Sequence, residues 1–223
     1  MAEKRSYADM CRFAFALDLV GERWALLVVR ELVLGPKRFT DLRAGLPHAS
    51  PNVLSQRLRE LEQAGVIRRR TLPPPAGSRV YELTEWGAEL GPVVTLLGHW
   101  GARAPTRPDA DQISPDAIML AFRAHFDAER ARDLRATHEV RLGDSRYTVG
   151  IADGELDLRR GEAEDPDLVV ETDPETLGMV IGGERSPADA VDSGAMKVEG
   201  AGRRDLERFF AVFPMPEPAP EPA

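Results

Sequence analysis

The chain has 223 residues, of which 43% are hydrophobic and 30% charged, a composition typical of soluble globular proteins. This length accommodates one or two domains. The single cysteine, Cys11, excludes an internal disulfide framework and a zinc site built on several thiolates. The low cysteine content also predicts a reducing, cytoplasmic compartment. No stretch reaches the ~18 apolar residues of a membrane-spanning helix, so we expect no association with a membrane.

The formal net charge of -8 is distributed unevenly along the chain. Residues 1–105 contain 15 basic and 11 acidic residues, a net charge of +4, whereas residues 106–223 contain 14 and 26, a net charge of -12. Such asymmetry predicts different partners for the two halves.

The front half is predicted to be mostly helical, with one β-hairpin. Apolar residues at helical spacing and helix-capping signals predict helices, in chain order, over residues 7–20, 22–34, 39–44, 51–64 and 85–101. The pattern changes after Gly65, where residues 66–72 and 79–83 flank a proline-rich turn and predict two paired strands. Helices followed by a hairpin, as in this half, are the element order of a winged helix-turn-helix.

The fourth predicted helix has the residue types of a DNA-reading helix. Leu54, Leu58 and Leu61 share one face and are expected to be buried. The opposite face carries Asn52, Ser55, Gln56, Arg59 and Gln63. Asn and Gln suit adenine and Arg suits guanine in the major groove, so this face predicts base contacts. A solvated polar helix face remains the alternative.

The surrounding charge supports the DNA-binding interpretation. Residues 37–70 contain eight basic and three acidic residues, a local net charge of +5. Basic residues of the hairpin could reach phosphates or a minor groove, while a patch that only confers solubility remains the alternative. The predicted DNA-contacting residues are Lys37, Arg38, Thr40, Ser50, Asn52, Ser55, Gln56, Arg59, Arg68, Arg69, Arg70 and Arg79.

Four stretches of the front half, residues 11–24, 30–42, 50–62 and 81–87, resemble the HxlR-type winged-helix transcriptional regulators of bacteria. The resemblance implies homodimers that bind double-stranded operator DNA near promoters. It also implies a dimer built from the first and last helices of this domain, about residues 8–19 and 85–101. The candidate interface residues are Phe13, Leu17, Leu90, Leu97 and Trp100.

Cys11 has two interpretations. Some members of the family use this cysteine as a thiol sensor, and the neighbouring Arg12 is expected to lower the thiol pKa. The other interpretation, which we favour from the sequence, is a small buried or half-buried residue at the dimer interface.

The back half predicts an α+β domain. Helices are predicted over residues 114–131, 173–181, 186–192 and 203–212, and strands over residues 137–142, 145–152, 154–160, 167–171 and 196–199. Prolines recur at every second position from Pro214 to Pro222, which predicts an extended, disordered tail.

The stretches 173–184, 186–191 and 194–200 resemble the sterol carrier protein type-two fold. The resemblance implies a five-stranded sheet and helices that enclose an apolar tunnel, and therefore a small apolar ligand as a possible effector. The candidate cavity residues are Leu177, Val180, Ile181, Phe209 and Phe213. A core filled by these same side chains remains the alternative.

Enzyme motifs are not found in the sequence. The histidines at 48, 99, 125 and 138 lack metal-ligand spacing, and no Gly-x-Ser-x-Gly motif occurs. Gly200-Ala201-Gly202 lacks the third glycine of a dinucleotide loop. We therefore expect no catalysis, no metal and no cofactor.

The sequence thus predicts an α+β protein with two domains. Residues 1–104 form the winged helix-turn-helix that binds DNA and dimerises, 105–113 a linker, 114–213 a sterol-carrier-like mixed α/β-sheet domain, and 214–223 the tail. The predicted function is a homodimeric transcriptional regulator modulated by an apolar ligand. The alternative is a lipid- or acyl-binding carrier in which the winged helix only dimerises.

Overall fold

The computed structural model describes residues 6–105, 112–200 and 202–220. Residues 106–111 of the predicted linker and residues 221–223 of the predicted tail therefore lie outside the described residues. The chain divides into two compact units, Met1–Val94 and Thr95–Ala223. The division falls inside a helix rather than at residue 104.

The first unit contains helices followed by a two-stranded hairpin. Its elements are α1 (Arg12–Val20), α2 (Ala25–Leu32), α3 (Phe39–Gly45), α4 (Pro51–Gln63), β1 (Ile67–Thr71), β2 (Arg79–Leu83), α5 (Glu85–Ala88) and the start of α6 (Leu90–Ala102). β1 and β2 pair in antiparallel fashion, with Ile67 opposite Leu83. The predicted order of helices and hairpin is confirmed.

The core of the first unit lies between α2, α3 and α4. Val28 and Val29 of α2, Leu42 of α3, and Leu54 and Leu58 of α4 have no exposed surface. Packing of these apolar stripes fixes α4 against the other two helices and turns its polar face away from the core.

Three features attach the hairpin to this helical core. Lys37 and Tyr81 exchange backbone hydrogen bonds of 3.0 and 2.8 Å, which form a single antiparallel β-bridge before α3. The Thr84 hydroxyl donates to the Gly65 carbonyl at 2.7 Å. A Cβ on Gly87 would lie 1.9 Å from the Val66 carbonyl oxygen, so only glycine permits this close approach of α5.

The predicted helix over residues 85–101 is divided into α5 and α6 at Glu89. The first helix begins at Arg12 rather than residue 7, because Ser6 and Tyr7 instead bond the carboxylate of Asp18.

The second unit is a five-stranded mixed sheet covered on one face by helices. Its elements after α6 are α7 (Pro115–His125), β3 (Ala136–Leu142), β4 (Ser145–Ala152), β5 (Glu155–Arg160), β6 (Leu168–Thr172), α8 (Pro174–Ile181), α9 (Pro187–Asp192), β7 (Lys197–Gly200) and α10 (Arg203–Ala211). The strand order is β5-β4-β3-β6-β7, and β3–β6 is the parallel pair. The elements follow the predicted order.

An aromatic cluster forms the core of the second unit. The ring of Phe122 in α7 lies 5.6 Å from that of Phe209 in α10 and 4.5 Å from that of Phe213. Beside it, the Tyr147 hydroxyl of β4 donates to the buried Asp116 carboxylate of α7, which also pairs with Arg160 of β5. These contacts attach α7 and α10 to the inner face of the sheet.

Two expectations for the second unit were wrong. The helix predicted to reach residue 131 ends at His125, since Phe126 is extended and the next amide, of Asp127, donates to the Val212 carbonyl. The tail was predicted to be disordered, yet the Ala219 amide donates to the Arg103 carbonyl at 2.7 Å. The Arg103 guanidinium in turn donates to the Glu217 carbonyl at 3.0 Å. The described part of the tail is extended and anchored.

Candidate nucleic-acid interface

The polar face of α4 is built by a cap at its start and an apolar stripe behind it. The Ser50 hydroxyl accepts a hydrogen bond from the Val53 amide at 3.4 Å, and Pro51 occupies the first helical position. Because the leucines of α4 are buried, the predicted reading residues lie on the opposite side. Asn52, Gln56, Arg59 and Gln63 are exposed, and Ser55 is half-buried.

Some side chains of this face are hydrogen-bonded to neighbouring residues, and others are not. The Gln56 amide donates to Glu60 at 3.0 Å, and Glu60 also pairs with the buried Arg57 at 2.6 Å. Arg59 has no hydrogen-bond or ion-pair partner among the described residues, so its guanidinium can reach a ligand without breaking a contact.

Lys37 does not belong to the exposed basic surface, which corrects its predicted role. Its side chain is 7% exposed, and its ammonium group is paired with Glu31, a residue with no exposed surface. Contact with a phosphate would require breaking this buried pair. Arg38 and Thr40, predicted with it, are exposed at the start of α3.

The arginines of the hairpin are exposed, and three of them are paired with acids. Arg68 and Arg70 both contact Glu82 of β2, at 2.8 and 2.9 Å. Arg69 pairs with Glu62 of α4 at 3.0 Å and lies over the Tyr81 ring. Arg79 at the start of β2 has no such partner in the described part of the chain. The sequence could not reveal these pairings, because the partners are distant along the chain.

The predicted dimer residues fall into two groups. Phe13 in the first unit and Trp100 in the second are 72% and 73% exposed, and Leu97 is also exposed. Leu17 is half-buried, and Leu90 packs against the core of the first unit, which leaves it little surface for a partner. Sequence reasoning missed further exposed apolar residues at helical spacing, namely Phe15, Val93 and Leu96.

Cys11 is exposed in the single chain and precedes α1. The backbone amides of Ala14 and, secondly, Phe13 at the start of α1 lower the pKa of its thiol. The cause is thus the start of the helix rather than the neighbouring Arg12 that the sequence suggested.

The five predicted cavity residues are all buried in the second unit. Phe209 and Phe213 belong to the aromatic cluster, with ring centroids 5.4 Å apart. An open trough of about 490 Å³ lies elsewhere, on the outer sheet face, where Thr148, Gly150, Asp157 and Arg159 contribute to its lining. None of the five predicted residues lines it.

A histidine missed by the sequence analysis lies in this core. His138 of β3 is 3% exposed, its ring is 4.5 Å from that of Phe209, and neither ring nitrogen has a hydrogen-bond partner in the described structure. Burial lowers the pKa of His138 to about 4.

Within residues 6–105, 112–200 and 202–220, no three His, Cys, Asp or Glu side chains group in a way that could hold a metal ion. Across the same residues, no helix has the length and apolar character needed to cross a membrane.

Comparison with protein families divides the chain in the same place as its charge. The family described as HxlR-like helix-turn-helix matches residues 19–108, and the family described as alkyl sulfatase C-terminal matches residues 106–219. The second match gives the back half a family other than the sterol carrier proteins that its sequence resembles.

Individual relatives match less than half of this chain. The uncharacterised HTH-type transcriptional regulator YvaP of Bacillus subtilis is 39% identical over 94 residues, which are 42% of this chain and 87% of YvaP. YodB, an HTH-type transcriptional regulator of the same organism, is 37% identical over 92 residues, or 41% of this chain and 82% of YodB. The solved structure of reduced YodB covers 45% of this chain and 100% of its own, at 34% identity and a TM-score of 0.39.

Proposed function

Because this chain belongs to the family of HxlR-like helix-turn-helix transcriptional regulators, we propose that it binds double-stranded operator DNA as a homodimer. Its back half belongs to the alkyl sulfatase C-terminal family and, in this proposal, serves as an effector domain rather than an enzyme. The site of action is the cytoplasm, where the operator DNA is found.

The observation that carries the proposal is the exposed face of α4. Asn52, Gln56 and Arg59 are exposed there, and Arg59 has no partner among the described residues. Amide and guanidinium groups read base edges in the major groove, whose width admits an α-helix. Basic residues of the hairpin beside this helix supply contacts to the phosphate backbone.

Exposed apolar side chains support the homodimer. Phe13 and Phe15 of α1, and Leu96, Leu97 and Trp100 of α6, are all exposed in the single chain. Aromatic residues are enriched in protein interfaces, and a partner chain that covered these side chains would remove them from water. A two-fold dimer places two recognition helices about 34 Å apart, in successive major grooves.

The DNA-binding proposal is tested by fluorescence anisotropy with the full chain and duplexes from its own promoter region. We expect one duplex to bind far more tightly than a scrambled sequence, with affinity falling steeply as salt rises. Arg59→Ala should weaken this preference by about 1–3 kcal/mol, the value of a bidentate base contact.

Arg132→Ala is the charge-matched control, because Arg132 is an exposed arginine of the second unit. It should bind like the wild type. If wild-type protein shows no sequence preference even at low salt, the proposal is wrong.

We further propose that the second unit has a fold of the sterol carrier type and senses an apolar ligand. The five-stranded mixed sheet, in the element order that the resemblance implies, supports this proposal. Native mass spectrometry of protein purified without detergent should detect a bound lipid. An apo mass together with an unchanged melting temperature in fatty acids or sterols would instead indicate a filled core.

A lipid- or acyl-binding carrier with a winged helix used only for dimerisation is the competing function. It predicts lipid binding with no sequence-preferring DNA binding, so the two experiments above separate the functions.

Thiol sensing by Cys11 stays a prediction, supported by its exposure and lowered thiol pKa. Diamide treatment should then change the DNA affinity of the wild type and leave that of Cys11→Ser unchanged. An equal response of both proteins would exclude it.

A further inference from the structure

Three consecutive arginines of the hairpin have different surroundings because side chains alternate along a strand. Arg68 and Arg70 lie on one face of β1, and Arg69 lies on the other. Across the hairpin, Arg68 is directly opposite Glu82, and Arg69 is directly opposite Tyr81. The same residue type therefore has two environments within three positions.

Glu82 holds the two arginines on the first face. Its side chain is 12% exposed, and one carboxylate oxygen contacts Arg68 Nε at 2.8 Å while the other contacts Arg70 Nε at 2.9 Å. The side chains of Arg68 and Arg70 are 63% and 46% exposed. Because each contact passes through Nε, nitrogen atoms at the outer end of each guanidinium group remain able to donate to a second anion.

The charge of this group matches a single phosphodiester. Two guanidinium groups and one carboxylate leave a net charge of +1, and a phosphodiester carries one negative charge. Glu82 restricts both long side chains before the anion arrives, which reduces the ordering cost of binding.

Arg69 is held differently. Its Nη2 atom contacts Glu62 of α4 at 3.0 Å, and its guanidinium group lies 5.3 Å from the centre of the Tyr81 ring. The residue therefore connects the hairpin to the recognition helix, with a salt bridge on one side and a cation–π contact on the other.

We propose that Arg68 and Arg70, positioned by Glu82, form a binding site for one DNA phosphate, whereas Arg69 positions the hairpin against α4 and contacts no phosphate. This assignment rests on the proposed DNA-binding function. It gives different roles to three arginines that were all predicted from the sequence to contact DNA.

The test is the salt dependence of DNA binding by the full chain, measured by fluorescence anisotropy on the preferred duplex. The logarithm of the binding constant falls with the logarithm of salt concentration by about 0.9 for each neutralised phosphate. Arg68→Ala and Arg70→Ala should each reduce this slope by about one contact. Arg69→Ala should weaken binding with the wild-type slope.

The three alanine variants serve as controls for one another, since each removes one exposed positive charge from the same strand. Circular dichroism melting confirms that each is folded. If Arg69→Ala does not fold, Arg69→Met retains an apolar stem over Tyr81 and gives the same comparison.

Glu82→Gln tests the positioning role. The variant adds net positive charge but leaves a single acceptor oxygen for two arginines. We expect the salt slope to fall by about one contact on both duplexes, although the variant carries more positive charge, because phosphate contacts carry no sequence information. Glu89→Gln, at an exposed position in the turn before α6, is the matched control and should not reduce the slope.

The outcomes separate this assignment from the proposed function. A wild type that binds no duplex overturns both. A wild type that binds, with the same slope reduction in all three alanine variants or an unreduced slope in Glu82→Gln, overturns the assignment alone.

Discussion

The two units of this chain use their charged side chains in different ways. On the outer sheet face of the second unit, basic residues pair with acids on the same or the adjacent strand, as in Arg141–Glu139, Arg159–Asp157 and Lys197–Glu171. In the first unit, Arg59 and Arg79 are exposed without such partners in the described chain. In the hairpin, Glu82 is shared by Arg68 and Arg70, which leaves a net positive charge, whereas the one-to-one pairs of the second unit leave none.

Their buried polar groups differ as well. Glu31 in the first unit is fully buried and pairs with Lys37, whereas His138 in the second is buried with neither nitrogen bonded to a described residue. Unpaired buried groups carry a cost that paired ones avoid, so the second unit is expected to be the more sensitive to acid.

The largest expected difference in stability between the two units comes from removing the buried Glu31–Lys37 pair of the first unit. Glu31→Ala should destabilise that unit by about 3–5 kcal/mol, because Lys37 would be left buried without its partner. Glu171→Ala removes an acid from an exposed pair of the second unit and should cost less than about 1 kcal/mol.

Hydrogen exchange in peptides from each unit measures both changes. Equal losses in the two variants would contradict the difference that burial predicts.

The second effect is the pH dependence of the second unit. Burial lowers the pKa of His138 to about 4, against the raising influence of Asp167 and Asp205, so the folded unit favours neutral imidazole. Its stabilising contribution is complete above the ordinary pKa of about 6.5 and is lost as the pH falls from there toward 4. The total loss is about 3 kcal/mol.

Urea unfolding between pH 7 and pH 4 measures this loss. His138→Leu, which cannot be protonated, should flatten the curve in that range. The pKa of His125 is also lowered by burial and then by His99, so a smaller decline should remain. An unchanged curve in His138→Leu would assign the acid sensitivity to other groups.

The smallest effect compares two similar helix caps. Ser50 accepts from the Val53 amide at the start of α4, and Ser186 accepts from the Asp189 amide at the start of α9. Replacing either with alanine should cost about 1 kcal/mol of stability. Only Ser50→Ala should also weaken DNA binding, which anisotropy would show. Equal DNA affinity of the two variants would remove Ser50 from the interface.

Local signals made much of the first unit predictable. Ser50-Pro51, the leucine stripe of α4 and the proline-rich turn identified the recognition helix and hairpin, since caps and turns depend on neighbouring residues. The strand and helix order of the second unit was predicted from the same kinds of pattern.

Features that depend on distant partners could not be predicted in this way. In the sequence, Lys37 is indistinguishable from the exposed basic residues, because its partner Glu31 lies on a separate element, α2. A Cβ on Gly45 would also collide with the Glu31 carboxylate. The tail was read from its prolines alone, although its backbone bonds Arg103 more than a hundred residues earlier. Tertiary contacts decided both.

Selection from fragmented genomic DNA by the purified full chain shows whether α4 reads a DNA sequence. We expect enrichment of a two-fold symmetric site with half-sites about 10 base pairs apart, and loss of that enrichment with Arg59→Ala but not with Arg132→Ala. Recovery of no common site by the wild type, or of the same site by Arg59→Ala, would contradict it.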